Sequence, residues 1–259
     1  MRRMALLVEY EGTKYKGFQV QRDQPTIQGE LESGLRRFTG QEVRIKGASR
    51  TDSGAHARGQ VVDFITTADR TVESFPSGMN FYLPPDIRVQ SAYRVVPEFH
   101  SRKSAASRVY RYTVSNRDWP SPLERHTSFW VRGPLDMSLM AEAAEAVVGN
   151  QDFRSLVPDH PTDRSAVRKV YRWDVWRKGS NVVIECEANG FLKHLVRRTN
   201  AILIEVGKGK LDTNILARLL AGETEKGFSL PSVPASGLCL MKVKYPDFRS
   251  CVVREDEES

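Results

Sequence analysis

A chain of 259 residues, 40% hydrophobic and 27% charged, is long enough to bury the core of two modest domains or one large one. No run reaches the roughly 18 apolar residues of a membrane-spanning helix. Met1 to Met4 lead straight into a strand-like Ala5 to Val8, too short for the apolar region of a signal peptide, so we expect a cytoplasmic protein. The net charge of +7 and the pI near 9.4 point to a polyanionic partner, with the placement of the charge mattering more than its total.

Residues 4–10 read as a strand ending at the Glu11-Gly12 turn. From Thr26, a potential N-cap, Ile27, Leu31, Leu35 and Phe38 follow at helical spacing, and Gly40 lies beyond the end. Short strands are expected over Val43 to Lys46 and Val61 to Ile65, and Pro76, Pro84 and Pro85 are expected to interrupt regular structure between residues 70 and 90. Arg108 to Ser115 alternates, with Tyr110, Tyr112 and Val114 on one side. Asp136 to Gly149 reads as a helix capped by Asp136 and stopped by Gly149. A hairpin is expected from Val170 to Ala188 around Lys178-Gly179-Ser180, then helices over Phe191 to Val206 and Asp212 to Ala221, and a last strand from Leu238 to Tyr245. Strands and helices thus recur in both halves without a regular parallel alternation, which predicts an α+β protein with mixed or antiparallel sheets. We place an N-terminal domain at residues 1–103, a C-terminal domain at 104–247 and an acidic, disordered tail at 248–259, carrying Glu255 to Glu258.

The positive charge is clustered. The segment from Arg164 to Arg198 also carries Arg168, Lys169, Arg172, Arg177, Lys178, Lys193 and Arg197 against only Asp174, Glu185 and Glu187. A second cluster comprises Arg102, Lys103, Arg108, Arg111, Arg117 and Arg125. Nucleic acid is therefore the leading partner class. The three cysteines form no C-x-x-C pair, and Cys186, in an alternating run, reads as a buried structural thiol. None of the five histidines is spaced i, i+4, and no phosphate-binding G-x-x-x-x-G-K-S/T or nucleophile-elbow G-x-S-x-G is present.

The densest polar cluster is Ala48-Ser49-Arg50-Thr51-Asp52-Ser53-Gly54-Ala55-His56-Ala57, where Arg50, Asp52 and His56 crowd beside a glycine that lets the backbone turn. On composition alone, a plain turn with Asp52 as cap and Arg50 solvated is the stronger reading. The run Ser49 to Ala57, however, resembles the R-T-D-x-G-V-H-A signature of TruA-type tRNA pseudouridine synthases. Further blocks resemble the same family in the same order: Tyr10 to Gln19 (Y-D-G-x-x-Y-x-G-W/F-Q), Phe99 to Ala105 (F-H-A-R-x-S-A), Arg108 to Tyr112 (K/R-x-Y-R-Y), Asn189 to Arg198 (N-x-F-L-x-x-M-V-R-N) and Gly237 to Leu240 (G-L-x-L). Ser49, Ala55, Leu195 and Arg198 depart from the common pattern, and none of these changes removes a catalytic group.

The resemblance implies two ferredoxin- or RRM-like halves joined into a central sheet, flanked by helices, with the active-site cleft between them. It implies cofactor-free isomerisation of uridine to pseudouridine in the anticodon stem-loop, at tRNA positions 38, 39 and 40, by a homodimer. Asp52 would be the indispensable carboxylate, acting as nucleophile on sugar or base or as proton abstractor. Arg197 would pair with it, Tyr110 would stack on the target base, and Arg50 would fill the space left by the flipped uridine. His56 is read as a loop-packing or RNA-contacting residue, and Arg102, with His100, as a backbone contact. Two rival readings are a non-catalytic RNA binder and a glycosidase-like hydrolase pairing Asp52 with Asp63.

Overall fold

The computed structural model describes residues 1–223 and 229–253; Glu255 to Glu258 lie outside the described residues. The chain divides into two compact units, Met1–Ser107 with the described residues from Leu240 onward, and Arg108–Cys239.

In the first unit, β1 (Arg2–Tyr10) pairs antiparallel with β3 (His56–Thr66) on one side and β4 (Ile87–Val95) on the other. A two-residue β2 (Lys46–Gly47) also pairs with β3, and β10 (Leu238–Lys244) neighbours β3 on its far side. Helix α1 (Ile27–Thr39) starts where Thr26 Oγ1 accepts the Gly29 N–H at 3.3 Å and stops at Gly40, whose φ of 74° closes the last turn. Its apolar stripe of Ile27, Leu31 and Leu35 is fully buried with Met4, Leu6 and Val8 of β1 and Phe64 of β3. The core is completed by Phe75 and Met79 of α2 (Ser74–Tyr82), which packs on α1 and β4.

Helix α2 corrects the expectation that the prolines break this stretch. Pro76 stands in the first helical turn, where the missing N–H has no intrahelical partner to lose. The strand expected over Val43 to Lys46 shrinks to β2, because side chains of α1 satisfy the backbone of Ile45. Its N–H donates to Glu32 Oε1 at 3.1 Å and its carbonyl accepts from Gln28 Nε2 at 3.3 Å. Residues 248–253, assigned by sequence to the tail, turn back along β4: Val96 donates to Cys251 O, and Phe248 stacks with Tyr93, Phe99 and Tyr245.

In the second unit, β5 (Ser107–Ser115), β9 (Asn181–Ala188), β8 (Val167–Lys178) and β7 (Gly149–Asp152) lie in that order, each pair antiparallel, and β6 (Phe129–Trp130) pairs parallel with the end of β5. Gly179, at φ 60°, turns the β8–β9 hairpin at the expected place. Helix α3 (Met137–Glu145) is capped by Asp136 Oδ1, which accepts the Ser138 and Leu139 N–H groups, and packs on β8 and α4 (Leu195–Gly207). It ends before Gly149, which opens β7. Helix α5 (Ile215–Leu220) covers α3. α4 begins later than Phe191 because His194 adopts a left-handed φ of 64°, which no continuing helix allows.

Candidate functional site

The polar loop between β2 and β3 is a built turn. The Ala55 N–H donates to Asp52 O at 3.1 Å, and Gly54 at the third turn position has a φ of 80°, as a type II turn requires. The backbone of the cluster is thus a turn, and Asp52 sits at its first corner, half-buried, with Arg50 exposed beside it.

What fixes this turn is the segment from Tyr10 to Phe18. Its N–H and C=O groups run along the loop: Phe18 N donates to Thr51 O, while Gly54 N and Ser53 Oγ donate to Tyr15 O at 3.3 and 3.2 Å. Two glycines let the segments touch. A Cβ on Gly12 would lie 1.9 Å from Ala55 O, and one on Gly17, whose φ is 95°, would lie 2.9 Å from Thr51 O. Side chains close the rest. The Tyr10 hydroxyl and Thr51 Oγ1 share a buried hydrogen bond of 2.8 Å. Gln60 spans the loop entrance, accepting from Ser49 N and donating to Ser49 O. The sequence marked Asp52, Arg50 and His56 but not these supports; the two glycines in the Tyr10 to Gln19 block were the available signal.

His56 is buried, and its Nδ1 accepts the Gly12 N–H at 3.0 Å, so the ring fastens one segment to the other. Tyr15 donates to Asp86 Oδ1 at 2.6 Å; burial, with that carboxylate beside it, pushes its hydroxyl well above the usual tyrosine range. Arg102 lies in a separate turn, exposed, with its backbone N–H donating to His100 Nδ1. Burial lowers His100 from the ordinary imidazole value.

Asp63 is held by other partners. Its side chain is fully buried, with Oδ2 held by Arg3 at 2.6 Å and Oδ1 accepting the Ser101 N–H at 2.9 Å. Both oxygens are thus committed to joining β3, β1 and the turn after Phe99.

In the second unit the structure gathers Tyr110 and the segment leading into α4. Tyr110 is 5% exposed and meets Phe191 edge-on at 5.3 Å, and Phe191 in turn contacts Trp173. Arg108 holds the same segment by donating to Asn189 O at 2.8 Å. Arg197 stands in the first turn of α4, half-buried, with Nε donating to Val233 O at 2.7 Å.

Much of the basic charge counted along the sequence is already neutralised. Arg172 donates to Glu185 Oε1 at 2.6 Å, pairs with Asp174 and lies 3.5 Å from Glu187, and Arg111 donates to Glu185 Oε2 at 2.7 Å. Burial alone would raise Glu185, but these guanidinium bonds outweigh it and hold the carboxyl below its usual range. Arg117 pairs with Glu124. Arg50, Arg58, Arg102 and Lys103 in the first unit, and Lys169, Arg177 and Lys193 in the second, remain exposed. Cys186 is buried, which pushes its thiol up and makes it inert. Among the described residues no three metal-ligating side chains gather, and no helix is long and apolar enough to cross a membrane.

A family model described as tRNA pseudouridine synthase matches residues 6–102 and 143–246. The tRNA pseudouridine synthase A of Geobacter sp. (strain M21) is 40% identical, over 95% of this chain and 100% of that one. The protein of that name from Roseiflexus castenholzii is 40% identical, over 95% of this chain and 92% of its own. The one from Moorella thermoacetica is 38% identical, over 93% and 99%.

Proposed function

This chain belongs to the tRNA pseudouridine synthases, which are isomerases, and from that premise we propose that it converts uridine to pseudouridine at positions 38, 39 and 40 of the tRNA anticodon stem-loop with Asp52 as the catalytic carboxylate. The reaction breaks the N1–C1′ bond, turns the detached uracil, joins C5 to C1′ and releases the C5 proton. Electrons and atoms balance within the nucleotide, so a carboxylate and a pocket are enough for the chemistry. Asp52 attacks the sugar or the base, or takes a proton to give a glycal-like intermediate.

The observation that carries the assignment to Asp52 is the cradle of Gly12, Tyr15, Gly17 and Phe18 against its turn. A carboxyl on an ordinary surface turn needs no second segment pressed against its backbone, whereas a reacting group held to a fraction of an ångström does. A carboxylate that closes over a base also needs a cation to keep its charge, and Arg197 fills that role in this reading. Tyr110 stacks on the flipped base, and Arg50 occupies the gap in the helix, offsetting an unstacking cost of a few kcal/mol. His56 serves as the fastener of the loop, and Arg102 with the exposed lysines and arginines positions tRNA phosphates, so binding weakens with salt. The enzyme works in the cytoplasm as a homodimer, one subunit gripping the tRNA body while the other modifies it.

The test is to map pseudouridine in bulk tRNA from a deletion strain carrying either the parent or Asp52→Ala. The parent restores the modification at the three positions, and Asp52→Ala restores none while binding tRNA within about threefold of the parent. Normal pseudouridine from Asp52→Ala would refute the assignment. Tritium release from C5-labelled tRNA without free uracil separates isomerisation from both RNA binding and hydrolysis.

A further inference from the structure

The segment before β10 holds Arg197 from two directions. Arg197 Nε donates to Val233 O at 2.7 Å, and the Val233 N–H returns a 3.4 Å bond to Arg197 O, so residue 233 and residue 197 clasp each other through side chain and backbone. The next carbonyl, Pro234 O, accepts the Tyr112 hydroxyl at 2.8 Å. Pro234 lies in the extended region at φ −55° and ψ 149°, and its ring fixes that φ, one of the two torsions that set how the neighbouring carbonyls stand to each other. Tyr112 is fully buried, and Gly237 backs its ring so closely that a Cβ there would lie 2.6 Å away. Arg197 also lies close enough to act electrostatically on the Tyr112 hydroxyl.

We infer that Tyr112 is a positioning residue for the isomerisation: through the Val233-Pro234 strap it sets the rotation of the Arg197 guanidinium. The inference rests on the reading that Arg197 supports the catalytic carboxylate. A guanidinium is a planar fork, and its value to a carboxylate depends on presenting that fork at the right angle. Holding Nε on a carbonyl orients the plane. An anchor as rigid as Tyr112 keeps the carbonyl from drifting when the base is bound and released. Burial pushes the Tyr112 hydroxyl well above the usual tyrosine range, so it stays protonated and donates throughout the working pH range. Tyr110, two residues earlier on β5, belongs to a different contact set through Phe191, which separates the two tyrosines in role.

The test is Tyr112→Phe, which keeps the ring against Gly237 and removes only the hydroxyl. We expect kcat for tritium release to fall about tenfold with KM for tRNA within about twofold. In an Arg197→Lys background, where no Nε remains to be oriented, Tyr112→Phe should change single-turnover rates by less than about twofold. A second reading needs no activity. In protein labelled with 15N-arginine, the Nε–H signal lost in Arg197→Lys identifies Arg197, and Tyr112→Phe should speed its solvent exchange about tenfold. An unchanged kcat, an equal loss in the Arg197→Lys background, or unchanged exchange would each overturn the inference. Failure of the functional reading looks different: the parent would then release no tritium.

Discussion

Replacing Gly12 by alanine asks whether the contact between two backbone segments sets the catalytic geometry. The added Cβ would sit 1.9 Å from Ala55 O and 2.8 Å from Ala55 C, both backbone atoms, so no flexible side chain can give way. A carbon does not rest within 3.0 Å of such an oxygen, and the two segments must part by about 1 Å. Gly12 is tied on both sides, through its N–H to His56 Nδ1 and through its carbonyl to Tyr15 N, so the shift passes into the Asp52 turn. Overpacking of this kind costs about 2 kcal/mol of stability. A displacement of about 1 Å at a reacting group costs roughly a hundredfold in rate. We therefore expect Gly12→Ala to lower kcat for tritium release about a hundredfold and to lower the urea midpoint, with tRNA affinity within about threefold, since the substitution removes no charged side chain that could meet a phosphate. Gly40→Ala is the control. Its φ is 74° but a Cβ there meets nothing within 4 Å, so it costs about 1 kcal/mol of stability and leaves kcat unchanged. A Gly12→Ala enzyme with parental kcat would refute the claim that this contact holds the loop.

Thr51→Val removes one partner of the buried Tyr10 hydrogen bond and should cost about 1–2 kcal/mol by urea unfolding, with a measurable fall in kcat. Asp63→Asn keeps an acceptor for Ser101 but gives up the charge facing Arg3; it should lower stability by about 2 kcal/mol and leave kcat of the folded enzyme within about threefold. A collapse of kcat at unchanged stability would return Asp63 to the catalytic set. Arg172→Ala should cost about 1 kcal/mol at neutral pH after allowance for screening, since Arg172 is part-exposed. Because the folded state holds Glu185 below its usual range, that contribution is present above the unfolded carboxylate value and lost as pH falls through the folded one. The stability gap between parent and Arg172→Ala should thus close on acidification; a gap that is constant from pH 7 to pH 3 would sink the argument.

Local signals gave most of the elements. The Thr26 cap, the Ile27, Leu31 and Leu35 stripe, the Asp136 cap and the Gly179 hairpin each rest on residues within a few positions of one another, and each stands where the sequence places it. β4 went unread because Ile87 and Val89 are followed by Ser91, Ala92 and Tyr93, which blur the alternation; pairing with β1 makes it a strand. The start of α4 was missed for a conformational reason, since nothing in the run from Phe191 to Val196 announces that His194 will turn left-handed. The charge count is incomplete at Arg172 and Arg111 because both reach Glu185, which the sheet brings in from the neighbouring strand β9.

By itself the sequence determined the chemistry on offer: an Asp-Ser-Gly turn flanked by Arg50 and His56, several ordered family blocks, and an α+β alternation. Those properties depend on residue type and short spacing, which the chain carries wherever it goes. Tertiary structure decided what supports them. It set Gly12 and Gly17 under the Asp52 turn, Tyr112 and Pro234 behind Arg197, and the residues after Leu240 with the first unit. Such contacts join positions tens of residues apart through steric fit and single hydrogen bonds, and only the folded backbone fixes which atoms come within 3 Å of each other.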